Sequence, residues 1–470
     1  MPAYLLNVVQ FKKTVFYMKL SCLVLVLFLL NSSISAIYAQ NSAILEDYVR
    51  TGLTSNLALQ QQTLDLRKAQ ESIRQAKSLF YPTIAFNANY TRAVGGRSID
   101  LPIGDLLNPV YTTLNQVTQS SAFPQIENQK IQFLPDNFQE TKIKFAYPLF
   151  NSDLRYNRQI QEQLYESKSA QKAAYEQELR YQITDAYLQY IQALEAEKIW
   201  LNAKTVLTEL RRFNESLVKN NVATRDVVAT ADYELSKADN EIYKLRSSQN
   251  TARAYFNFLI NQDLQGEVVA DTALLRVAAL AYQPADLLQK ALTNRQEFAA
   301  LRAGLAATET DVKRNDANRK LPDFYIGGEF GFQGFGYNFG DDQTYALAQI
   351  GLTYDLYDAG LRKSKTQMAR LENEKTRTQL TQVQQQIALQ VTQSWNAFEA
   401  ARNTCVTAQT GLRAAEETFR IVNNKYRANQ VLLIEFLEAQ NRVTTARLQL
   451  TLAWTDILLK EAALRQAAGL

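Results

Sequence analysis

VQQQIALQVTQSWNAFEAARNTCVTAQTGLRAAEETFRIVNNKY, residues 383–426, carries a seam at Val383, Ile387, Val391, Ser394, Phe398, Ala401, Cys405, Ala408, Leu412, Ala415, Phe419, Val422 and Tyr426. The steps settle into alternating threes and fours, the 3.5-residue period of a coiled coil. No proline interrupts the run, and its one glycine, Gly411, lies off the seam. A helix over about residues 358–428 would be roughly 100 Å long at ~1.5 Å per residue. That is about three times the hydrocarbon thickness of a bilayer. A compact soluble domain has little room for such a rod.

The rest of the composition removes several classes of chemistry. The chain has 470 residues and a net charge of +4, so it lacks the basic footprint of a nucleic-acid-binding protein. It has no histidine, which removes the commonest general base and the commonest metal ligand together. The two cysteines are Cys22 and Cys405. Cys405 sits on the seam, where a small buried hydrophobe is the expected role. Neither a zinc site nor a Cys–His nucleophile is available, and no cofactor or metal is expected.

Residues 1–39 read as a signal peptide. Lys12, Lys13 and Lys19 precede the apolar run Leu23–Leu30, and a small-residue stretch ends at Ala39-Gln40. Met18-Lys19-Leu20 offers an alternative start. Cys22 precedes the apolar core, which does not fit a lipoprotein, and no later run reaches the 18 or so apolar residues of a transmembrane helix. The mature chain is expected to be exported.

From there the chain reads as a duplication. Ala43–Leu79 is expected to be helical and stops before Tyr81-Pro82. Ile84, Phe86, Ala88 and Tyr90 then alternate with polar or small residues, predicting a strand at about 83–94. A long Asn-, Gln-, Pro- and Ser-rich loop over 95–139 holds a short helix near Leu106–Val117. A second strand follows at about 141–150. A long helix from Asp153 to Lys219 has Ile183, Ala186, Tyr190 and Ala193 on one side. It breaks at Asn220-Asn221 and returns over Asp226–Ile260. The plan then recurs: a helix over Pro284–Lys320 ending at Leu321-Pro322, strands at about 323–333 and 344–356, the opening rod, a break at Asn429-Gln430, and a return helix. That last helix carries Phe436, Ala439, Val443, Ala446, Leu450, Ala453, Ile457 and Leu464 in strict 3-4 spacing. Pro82 registers with Pro322, Tyr147-Pro148-Leu149-Phe150 with Tyr354-Asp355-Leu356-Tyr357, Asn220 with Asn429, and Asp226 with Glu435. The expected organisation is two structural repeats, residues 40–270 and 271–470, each helix, strand, strand, long helix, break, helix.

Exported, alternating strands of about ten residues with aromatic ends fit a transmembrane β-barrel. Belt candidates are Phe80, Tyr81, Tyr90, Phe145, Tyr147 and Phe150, with Phe324, Tyr325, Tyr345, Tyr354 and Tyr357. Four strands cannot close a barrel, and open edges cannot face lipid. Several chains must therefore share one barrel; spacing alone does not choose between eight strands from two copies and twelve from three.

In these features the chain resembles the TolC-like outer membrane efflux family, over nearly all of its mature length. The resemblance is most specific in the duplicated plan and in the two breaks, Leu217–Val228 and Tyr426–Ala439. The family usually has glycine where Asn220 and Asn429 stand here, a mild departure because asparagine also tolerates the left-handed conformation. The resemblance implies a fold that is mostly α with a small β part: an α-barrel of long antiparallel coiled-coil helices on a 12-stranded β-barrel shared by a homotrimer. It places the protein in the outer membrane of a Gram-negative bacterium, among outer membrane lipid, with the helices crossing the periplasm. The implied role is passage of small molecules from an inner-membrane transporter and a periplasmic adaptor protein, with no enzymatic step and no nucleic acid. The resemblance also implies a gate at the breaks. Tyr426 and Asp226 match a tyrosine–acid bond that latches the closed tip; Arg225 is the candidate basic neighbour, because Val431 stands where charged-latch members carry arginine. Glu435 and Glu438 would repeat as acidic rings. Asn220, Asn221, Val222, Ala223, Asn429, Gln430, Val431 and Leu432 form the adaptor-facing tips. The same architecture serves type I protein secretion, which one sequence does not separate from efflux; a periplasmic coiled-coil adaptor or structural protein is the reading from a different class.

Overall fold

The computed structural model describes residues 43–276 and 283–470. The expected signal peptide at 1–39 lies outside the described residues. In chain order the elements are α1 (Ala43–Ser55), α2 (Leu57–Ser78), β1 (Thr83–Thr91), β2 (Ser98–Leu101), α3 (Ile103–Thr118), β3 (Gln129–Gln132), β4 (Phe138–Phe150), α4 (Ser152–Lys219) and α5 (Asp226–Leu259). A 3₁₀ turn (Thr272–Arg276) leads to α6 (Pro284–Asn294), α7 (Gln296–Lys320), β5 (Asp323–Phe335), β6 (Thr344–Thr353), α8 (Leu361–Arg427) and α9 (Leu433–Ala468). These residues form two compact units, one of 43–67, 167–302 and 378–470, the other of 68–166 and 303–377, so each unit draws on both halves of the chain.

In the first unit, the predicted seam of α8 is the buried face of the helix. All thirteen seam positions are buried or half-buried, with Phe398 at 0% exposure. The seam of α9 behaves alike, and the two helices meet antiparallel through Cys405, Leu450 and Ala453, with Ala408 and Leu412 packed alongside. Arg447 pairs with Glu416 (2.9 Å) on the flank of this hairpin. Burial of a side chain the size of Phe398 stabilises by about 1.5–3 kcal/mol. The first repeat builds its hairpin the same way. Ile183, Ala186, Tyr190 and Ala193 of α4 are buried as expected, and Ile183 and Tyr190 share a cluster with Phe256 and Leu259 of α5 and Val49 of α1. Tyr187, fully buried in that cluster, donates to the Val269 carbonyl (2.9 Å) and accepts from Asp271 N (2.9 Å). Burial pushes its phenol up to about 12.

Two predicted helices are each broken in two. The expected helix Ala43–Leu79 divides at Asn56, whose Oδ1 accepts from Leu59 N (3.0 Å) as a cap while its Nδ2 donates to Leu259 O (2.8 Å). The expected helix Pro284–Lys320 divides at Arg295, which is extended (φ −66°, ψ 123°) and gives its guanidinium to Gln390 (2.6 Å) and Glu297 (2.7 Å). In both cases a side chain bound to a distant element replaces a turn of helix.

The second unit holds a four-stranded antiparallel sheet in the order β1-β4-β5-β6. Its pairings fix which side chains share a face, because successive residues point to opposite sides. One face carries Ile84, Phe86 and Tyr90 with Ile143, Phe145, Ile326, Phe330, Ile350 and Leu352. Ile84, Phe86 and Ile350 are 73%, 70% and 75% exposed, so among the described residues this part of the face is uncovered, while Tyr337 and Phe339 pack on Tyr90 and Phe332 at its far end. The other face carries Asn87, Asn89, Lys144, Gln333 and Gln349 around an ion cluster in which Lys142 contacts Glu140 (2.7 Å) and Glu329 (3.0 Å). Tyr325 and Tyr345 belong to this polar face and leave the predicted aromatic belt. Tyr345 donates to Glu329 (3.4 Å), and the Tyr325 ring fills the space beside Gly351 that a Cβ would need. Strand parity overrules residue type here.

The strands end within a few residues of expectation, β1 earlier at Thr91 and β4 starting earlier at Phe138. The loop over 95–139 holds the expected short helix, α3, and also an antiparallel pair, β2 with β3, that four-residue strands do not announce in sequence. Among the described residues no helix is long and apolar enough to cross a membrane.

Candidate functional site at the helix breaks

The two breaks lie in the first unit, and their backbone geometry is the same. At the end of α8, Gln430 N donates to Lys425 O (2.9 Å), Asn429 N to Tyr426 O (2.9 Å), and Asn429 adopts φ +63°. This is a Schellman cap, which needs one left-handed residue. At the end of α4, Val222 N donates to Leu217 O (2.9 Å) and Asn221 N to Val218 O (3.0 Å), and the left-handed residue is Asn221 at φ +57°. The equivalent of Asn429 is therefore Asn221, one residue beyond the expected Asn220. Helix phase sets the choice: the cap falls where the last turn of α4 ends, and the two adjacent candidate positions, 220 and 221, are both asparagine.

The returning helices start differently. Glu435 is the third residue of α9, and its Oε1 accepts from Leu432 N (3.2 Å), which satisfies a free N–H at the helix start. Asp226 opens α5 and bonds the Thr224 hydroxyl. The expected pairing of Asp226 with Glu435 across the repeat is thus not a match of helix position. Asp226, Arg225, Glu435 and Glu438 are all exposed, and Glu438 sits 3.9 Å from Arg442 along its own helix. Val222, Leu432 and Ile434 are exposed apolar residues beside the breaks, at 55%, 68% and 58%.

Behind the breaks the two hairpins meet in one cluster of Leu207, Leu210, Ala231, Ala238, Tyr426, Phe436 and Leu437, with Val431 packed against it. The Tyr426 ring stands 5.2 Å from Phe436 and 5.8 Å from Phe213. Its hydroxyl donates to Asn214 Oδ1 at 2.7 Å. Within the chain, then, the acceptor for Tyr426 is Asn214 rather than Asp226. Tyr426 is 5% exposed and Asn214 0%. Asn214 Nδ2 also donates to the Val227 carbonyl in the first turn of α5 (3.1 Å), so one amide ties α4 to α5 and to α8. Burial pushes the Tyr426 phenol up, keeping it protonated.

Asn214 is the residue the sequence reading missed. Its signal was present, since Leu207, Leu210 and Asn214 step by three and four and place an amide on an apolar seam, where a polar residue specifies pairing. Cys405 is buried as expected, and burial pushes its thiol up. Among the described residues no acidic, cysteine and histidine cluster could hold a metal ion.

Residues 287–470 match the family described as Outer membrane efflux protein. This family comprises transport proteins rather than enzymes. Outer membrane efflux protein BepC of Brucella suis biovar 1 is 21% identical over 296 residues, 63% of this chain and 64% of its own length. Among solved structures, CusC superposes with a TM-score of 0.76 at 14% identity, over 92% of this chain and 93% of its own. The open state of the Neisseria gonorrhoeae MtrE outer membrane channel gives 0.72 at 17% identity, over 91% and 89%. Identities this low speak to the fold. They extend it to the first half of the chain, outside the matched domain.

Proposed function

We propose that the chain is the outer membrane channel of a tripartite efflux pump, a homotrimer that passes small molecules delivered by an inner-membrane transporter and a periplasmic adaptor. The sheet carries this reading. Among the described residues it has one largely uncovered apolar face, one polar face, and two unpaired edges, β1 and β6. Three copies joined edge to edge close twelve strands with the apolar face toward lipid and the Lys142 cluster toward water. That arrangement satisfies every backbone group, as lipid requires.

The helical hairpins then line a periplasmic conduit that closes at the breaks. Tyr426 and Asn214 hold the two hairpins of each subunit together. Glu435 and Glu438 form acidic rings that favour cations, and Asp226 and Arg225 lie on the solvent side of the gate. The tips, Asn220 to Ala223 and Asn429 to Leu432, face the adaptor, and the exposed Val222 and Leu432 offer it apolar contacts. The two repeats, 40–270 and 271–470, supply equivalent hairpins.

Mass measurement of the detergent-solubilised complex is expected to return three chains in an outer membrane fraction. A monodisperse monomer that needs no detergent would end this reading.

A further inference from the structure

A groove of about 650 Å³ opens in the second unit where β1 and β4 meet the helices. Phe80 and Tyr81, which follow α2, and Phe145 and Tyr147 of β4 line it together with two cations, Lys77 of α2 and Arg158 of α4. Phe145 and Tyr147 belong to the largely uncovered apolar face of the sheet, so the groove is continuous with that face. The cations stand at its helical end. Lys77 makes no side-chain hydrogen bond or ion pair among the described residues, and Arg158 spends Nε on Glu162 (3.0 Å) while its terminal nitrogens stay open. Arg74 of α2 and Arg180 of α4, by contrast, each turn a terminal nitrogen to a carboxylate, Glu71 and Glu46 (3.1 Å for the latter).

We infer that this groove binds one glycerophospholipid per subunit from the periplasm-facing leaflet, with Lys77 and Arg158 on the headgroup phosphate and the acyl chains along Phe145 and Tyr147. The inference rests on the membrane reading above. Charge complementarity selects the ligand. Two cations on open water would stay solvated, but at the rim of an apolar wall they meet an anion whose tails belong on that wall. Tyr81, 69% exposed, has the amphipathic ring that settles at headgroup level. The site would anchor the end of β1, an edge strand, to the leaflet.

Native mass spectrometry of the full-length complex in detergent tests this, with phosphatidylglycerol, phosphatidylethanolamine or diacylglycerol added. The wild type is expected to retain both phospholipids, up to one per subunit, and diacylglycerol far less. Lys77→Gln and Arg158→Gln are each expected to weaken phospholipid retention roughly fivefold, and the double variant on the order of thirtyfold. Lys198→Gln, on a distant exposed pair, is expected to behave as wild type. Both site residues are exposed, so the variants are expected to assemble. Equal retention by wild type and double variant would overturn the site, as would diacylglycerol binding as well as the phospholipids. Displacement of the lipid by millimolar inorganic phosphate would reassign the groove to a free anion. The same spectra report the assembly: a detergent-independent monomer refutes the membrane reading, whereas a trimer with unaltered lipid retention refutes the groove alone.

Discussion

Removing the Tyr426 hydroxyl is expected to loosen the gate, by an amount that follows from what the hydroxyl leaves behind. Tyr426→Phe deletes one neutral hydrogen bond, worth about 0.5–1.5 kcal/mol net. It also strands Asn214 Oδ1 in a site with 0% exposure, and an unsatisfied buried acceptor costs about 1–3 kcal/mol. The second figure governs. Three subunits bring the total to roughly 3–9 kcal/mol, and every 1.4 kcal/mol is a factor of ten in the open-to-closed ratio. Single-channel conductance in planar bilayers reads this directly: low for wild type, raised for Tyr426→Phe and for Asn214→Ala. The double variant is expected to open no further than the stronger single one, because both break the same 2.7 Å contact. Asp226→Ala is expected to stay near wild type, since Asp226 bonds Thr224 beside it. Additive effects of the two singles, or an Asp226→Ala variant that opens like Tyr426→Phe, would refute the reasoning. Acidity supplies a second discriminant. Neither an amide nor a phenol titrates between pH 4 and 8, so this bond survives acidification, whereas a tyrosine–carboxylate latch would weaken as its acid protonates. Burial raises the phenol in the folded state. Its contribution is therefore fully present below the unfolded value of about 10 and is lost only as pH rises through the higher folded value.

Asn221→Gly and Asn429→Gly are expected to melt near wild type, and the corresponding valines to lose at least about 1–2 kcal/mol per site. Asn220→Val is expected to be silent, and equal effects at Asn220 and Asn221 in thermal unfolding would contradict the cap assignment. Lys142→Gln leaves Glu140 and Glu329 without their shared cation, so reversal potentials in a salt gradient are expected to shift toward cation selectivity; no shift would place this face away from the pore. Gly52→Val drives a Cβ into Ile183 Cδ1 and is expected to cost about 1–3 kcal/mol of stability, read as a lower melting temperature. Cys405, buried and with its thiol pushed up, is expected to resist maleimide at neutral pH until the protein is denatured; rapid native labelling would show that the α8–α9 seam opens.

What the sequence determined is what local periodicity encodes. The seams of α8 and α9, the alternation of the four strands and the two breaks all repeat within a few residues, and each was legible down to individual positions such as Phe398, Ile350 and Asn429. The placement of side chains that answer to a distant element was decided only in three dimensions. Asn214 and Tyr426 are 212 residues apart, and no pattern along the chain says which buried hydroxyl meets which buried amide. Asn56 and Arg295 end helices that intrinsic propensity would continue, because Leu259 and Gln390 offer partners that exist only once the hairpins pack. Tyr325 and Tyr345 resemble belt residues by type, yet pairing of β5 with β6 turns both to the polar face. Asn221 rather than Asn220 takes the left-handed turn because the cap depends on where the last hydrogen-bonded turn of α4 closes, a phase that two adjacent asparagines leave open.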